Sequence, residues 1–148
     1  LEAILSTFLE QVIPEVIEDF SEKKFTVDQE TFPFFLKNIV RDRLFLIQEN
    51  QMHVKILLGR SFINKNLSIQ LGNIIVQSII EPISPVLNQF KEKGLILNWS
   101  NERIVRYILA LSFSYLIPMM LNDEGTINID EVVDEIVECL SSALMKVK

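Results

Sequence analysis

Between Ile104 and Leu121 the chain reads IVRYILALSFSYLIPMML, with Arg106 its only charge and apolar residues at every helical angle. A two-faced helix can lie on a surface, but one that is apolar all round in a soluble protein needs neighbours on every side. The stretch touches the lower length limit for a membrane span, and Arg106, Ser112, Ser114 and Pro118 weigh against that use. The remaining reading is a central helix of a multi-helix domain. The rest of the chain must then supply its partners.

It does so with the period of helices. Ile4, Leu5, Phe8, Leu9, Val12, Ile13, Val16, Ile17 and Phe20 form one stripe, and Pro14 removes a backbone donor where a kink or restart is expected. A second helix starts near Thr26 and Asp28, both cap candidates, with Pro33 in its first turn. Its stripe is Phe32, Phe35, Leu36, Ile39, Val40, Leu46 and Ile47, and Arg43 stands at the centre. A shorter third helix covers about 52–63, with Val54, Leu57, Leu58 and Phe62 inward. A long fourth runs from Leu67 to Phe90, where Pro82 and Pro85 should bend it or split it in two. The last, from Ile129 to about Met145, sets Val132, Val133, Ile136, Val137, Leu140 and Leu144 against Glu131, Asp134, Glu135 and Glu138. No segment alternates with period two for long enough to be a strand. The expectation is an all-α fold of six to seven helices, one domain over 1–148.

KEKGLILNWSNE joins the fourth helix to the apolar one. Gly94 after Lys91 and Lys93 fits a helix stop, and Ser100 with Glu102 fits a capped start.

Several function classes are excluded or disfavoured. One cysteine, Cys139, cannot form an internal disulfide, and one histidine, His53, cannot anchor a typical zinc site. That argues for a reducing, cytoplasmic setting, and the acidic first twenty residues do not read as a signal peptide. The start at Leu1, without methionine, suggests a piece of something longer. A net charge of −6 with scattered Lys and Arg gives no footprint for nucleic acid. There is no Gly-rich phosphate loop, no Glu-x-x-His pair and no Gly-x-Ser-x-Gly elbow. No catalytic residue, metal site or cofactor is expected, so the chain does not read as an enzyme.

A helix ending FKEKGLI, the link LNWSNE and then RIVRYILALSFSYLIPMML together resemble the end of the TetR family of transcriptional regulators. NIDEVVDEIVECLSSALMK looks like that family's last helix, and LFLIQENQMHVKILL like its passage into a short middle helix. The resemblance implies a TetR-type regulatory lobe whose last two helices pair with a second copy in a four-helix bundle. It also implies that DNA is bound only through an amino-terminal helix-turn-helix that this chain lacks.

The physics points to the same pairing, since one all-apolar and one two-faced helix leave surplus apolar surface for a two-fold copy to cover. Leu109, Phe113 and Leu116 of the apolar helix, and Val133, Ile136, Val137, Leu140 and Leu144 of the last, are the expected dimer contacts. Kinked helices can surround a cavity, and Phe35, Ile39 and Arg43 fall at i, i+4 and i+8 on one face that would line it. Leu57, Phe62 and Tyr107 are expected to complete the wall. Arg43 either pairs with a carboxylate or solvent, or meets the anionic end of a ligand. The leading expectation is therefore the effector-sensing, dimerising lobe of a repressor that takes an apolar or amphipathic small molecule. The alternative is a stand-alone helical interaction or lipid-binding module with no DNA partner.

Overall fold

The computed structural model describes residues 15–122 and 126–145. The expected kink at Pro14, and most of the first stripe, fall outside the described residues. The fold is all-α. In order run α1 (Glu15–Ser21), α2 (Thr31–Glu49), α3 (Gln51–Ser61), α4 (Lys65–Ile75), a π-helical turn (Val76–Ile80), α5 (Glu81–Glu92), α6 (Asn101–Leu121) and α7 (Ile129–Leu144).

Local chemistry sets most of the boundaries. Asn64, Ser100 and Asn128 each accept a hydrogen bond from the backbone N–H three residues on, capping α4, α6 and α7. Asp28 accepts from the N–H groups of Glu30 and Thr31, and the Thr31 hydroxyl accepts from the Asp28 N–H, so this pair starts α2. At the end of α5, Leu95 N–H reaches the Phe90 carbonyl and Gly94 N–H reaches that of Lys91, with Gly94 at φ 69°. That is a Schellman stop. Lys91 then donates to the Trp99 carbonyl at 3.0 Å and to Asn101 Oδ1 at 2.5 Å, tying the stop of one helix to the start of the next. The apolar connector between them pairs with the far end of α7, through an antiparallel bridge from Ile96 to Met145 and a 2.9 Å bond from Leu97 N–H to the Leu144 carbonyl.

The π turn lies immediately before Pro82. Pro82 has no N–H for the Ser78 carbonyl four residues back, so the ladder changes register there, and Glu81 N–H bonds Val76 five residues back. The long fourth helix is thus split, as its prolines require.

One end of the core is aromatic. Phe20 meets Phe35 edge-on at 5.2 Å, Phe32 meets Phe90 at 5.1 Å, and all four rings are fully buried. Each contributes about 1.5–3 kcal/mol by burial alone. Along the middle, α2 packs against α7 and α6 packs against both. Lys37–Asp134 at 3.7 Å and Arg41–Asp130 at 3.4 Å border the α2–α7 seam. All four side chains are more than half exposed, so these pairs are worth about 0–1 kcal/mol each.

Two expectations fail here. First, α6 is not enclosed: only 39% of its most apolar stretch is buried, with Ile117 49% and Leu121 74% exposed. Second, the residues expected to meet a second copy are used inside the chain. Leu116, Val133, Ile136, Leu140 and Leu144 are buried in the chain's own core, Val137 packs against that core, and Leu109 and Phe113 line an internal cavity. The stripe of α7 packs against α2. On α6 an exposed face remains, with Ala110, Ser114, Ile117 and Leu121.

Candidate functional site: an apolar cavity with one cation

A cavity of about 210 Å³ lies among α2, α3, α4, the π turn and α6. The carboxyl-terminal half of α2 contributes Ile39, Arg43, Leu46 and Ile47; α3 contributes Val54, Leu57 and Leu58; α4 contributes Leu71, Ile74 and Ile75. Ser78 and Ile79 come from the π turn, and Ile108, Leu109, Ser112, Phe113 and Leu116 from α6. The register change before Pro82 falls in this wall.

Three lining residues carry polar side-chain groups: Arg43, Ser78 and Ser112. The Ser112 hydroxyl donates to the Ile108 carbonyl at 2.7 Å, so its proton is committed to the helix backbone. The Arg43 side chain is 17% exposed and its only ion pair among the described residues is with adjacent Asp42, 3.7 Å from Nε. Burial pulls its pKa down from the usual guanidinium range, and the Asp42 carboxylate pushes it back up. A guanidinium nonetheless stays cationic at neutral pH. No carboxylate, imidazole or thiol lines the space, so it offers a binding surface with no acid–base pair. Among the described residues no group of three or more His, Cys, Asp and Glu side chains is placed to hold a metal ion.

Of the six residues expected at the wall, Ile39, Arg43 and Leu57 line the cavity. The other three do not. Phe35 is two helical turns from Arg43, about 12 Å along the axis, and there α2 faces the aromatic cluster of Phe20 and Phe90. Phe62 lies one residue past the end of α3, where helical spacing no longer applies, and is 86% exposed. Tyr107 is about 100° around α6 from the cavity-lining Ile108. It is 38% exposed, stacks edge-on against Trp99 at 5.5 Å and accepts a hydrogen bond from Arg103 Nε at 3.3 Å. Sequence reasoning missed Ser78 and Ile79. The signal for them was Pro82, whose missing donor displaces the register one turn upstream.

Comparison with protein-family models, with curated proteins and with solved structures finds no match to this chain.

Proposed function

We propose that this chain is the effector-sensing and dimerising lobe of a TetR-like transcriptional regulator, a cytoplasmic repressor whose DNA affinity changes when an apolar or amphipathic small molecule occupies the cavity. The observation that carries the reading is the cavity itself, an almost wholly apolar space of about 210 Å³ walled by α2, α3, α4, the π turn and α6. Dry apolar cavities of about this size take up small hydrocarbons. No chemistry competes with binding, because the wall lacks catalytic groups. DNA would be held by a separate basic helix-turn-helix, since this chain has a net charge of −6.

Switching requires two arrangements of the lobe that differ in their affinity for the effector. The π turn is the element suited to the change. Its ladder is already displaced by one residue, and it contributes Ser78 and Ile79 directly to the wall. A body entering the cavity presses on the segment whose backbone bonds are least regular.

Titration calorimetry with octan-1-ol, a neutral body of the cavity's size, tests the sensor. One molecule bound per chain is expected, and absence of binding overturns the reading. The codons upstream of Leu1 test the DNA partner: a basic helix-turn-helix is expected there.

The second reading is an interaction module with no DNA partner, and one patch favours it. Phe62 and Ile63, at the turn between α3 and α4, are 86% and 88% exposed between Arg60 and Lys65. The whole stretch Asn50–Ile80 contains no acidic residue. A native start codon at this position would favour that reading over the first.

A further inference from the structure

The geometry points to an anionic amphiphile as the occupant of the cavity, with its charged head against Arg43 and its apolar body between α3, α4 and α6; this rests on the sensor reading above. The argument begins with the cost of placing Arg43 where it is. The side chain stands two turns from the aromatic core, borders the cavity beside Ile39 and Ile47, and is 17% exposed. Its one ionic neighbour, Asp42, is adjacent in sequence, is 47% exposed, and approaches Nε alone at 3.7 Å. That separation is too long for a hydrogen bond, and it leaves the terminal Nη atoms without an ionic or hydrogen-bond partner among the described residues. Guanidinium groups meet carboxylates through two parallel N–H donors, and the Nη edge is the one that makes such a fork.

A purely structural Arg43 would be expected to reach a carboxylate of a neighbouring helix. No acid of another helix among the described residues pairs with it. Those on α7, Asp130 and Asp134, are taken by Arg41 and Lys37 on the next faces of α2. The cavity wall itself supplies no anion, so a cation at its edge is left to be neutralised by what enters.

Size narrows the class further. An apolar cavity of about 150 Å³ holds a six-carbon ring, so about 210 Å³ suits a body of about eight heavy atoms. Ser78, a lining hydroxyl with no hydrogen bond among the described residues, is available as a second donor. The expected class is thus a monocarboxylate with a chain or single ring of about that size. Neutral isosteres of equal length would lack the Arg43 contact.

The test is titration calorimetry of octanoate and of octan-1-ol into this chain, in the native sequence and in Arg43→Met. Methionine keeps an unbranched apolar stem and removes the charge. Octanoate should bind more tightly than octan-1-ol to the native chain and lose about ten- to a hundredfold in Arg43→Met, the scale of a charge-assisted hydrogen bond. Octan-1-ol should be unaffected, and the melting temperature of the unliganded variant should not fall. If octanoate binds both chains equally, the anionic class is wrong while the cavity reading stands. If octanoate binds the native chain no more tightly than octan-1-ol does, the class is again wrong. If neither binds, the sensor reading falls and this inference falls with it. A sharp loss of melting temperature in Arg43→Met with unchanged octanoate affinity would make Arg43 structural, which also overturns the proposal.

Discussion

At Gly94 the backbone adopts φ 69°, a conformation that costs a residue with a Cβ about 1–2 kcal/mol. A Cβ built there meets no atom within 4 Å, so the cost is backbone strain alone. Gly94→Ala should therefore lower the urea midpoint by an amount corresponding to about 1–2 kcal/mol, with an unchanged slope and fold. This residue was legible in the sequence because a glycine after two lysines at a helix end has few other uses. Ser100 was legible for the same reason, and it caps α6 as its position suggested. Arg43 was half legible. Its interruption of an apolar stripe was visible, whereas the identity of its partner depends on which acids α7 brings to α2, and no local pattern encodes that.

Among the elements, helix existence was plain and helix rotation was not. The stripes of α2 and α7 gave their buried faces correctly, because each has one apolar side and one wet side. For α6 the pattern has no preferred side, so nothing local distinguishes Tyr107 from Ile108, and a shift of one residue turned the face by about 100°. Phe62 was lost to a boundary: α3 stops at Ser61, whose hydroxyl bonds the Leu58 carbonyl, and Asn64 already caps α4. Phe35 and Phe62, both assigned to the wall from sequence, now separate cleanly. Phe35→Ala opens a cavity in the aromatic cluster and should cost about 3–5 kcal/mol by chemical unfolding. Phe62→Ser touches no core and should change stability by no more than about 0.5 kcal/mol. Equal losses from the two would contradict the described packing.

For the whole molecule, the open question of assembly has moved from one surface to another. The stripe of α7 is consumed internally, so Ile136→Glu should unfold the chain, not merely divide a dimer, because it buries a charge without a partner. If a second copy pairs with this one through the exposed face of α6, Ile117→Glu should yield a folded monomer, with native circular dichroism and a halved mass by sedimentation. A native chain that sediments as a monomer would remove the pairing from the proposed function. The bond from Leu97 to the Leu144 carbonyl and the burial of Val132 and Val133 have a further consequence, because they fix α7 at both ends. Its sixteen residues span about 24 Å between two fixed anchors. One inserted residue would rotate everything beyond it by about 100° and carry Val133, Ile136 and Leu140 off the α2 seam. Descent with change of length is thereby closed to this helix. Changes of length are taken up outside α7, as in the link between Asn122 and Asn128.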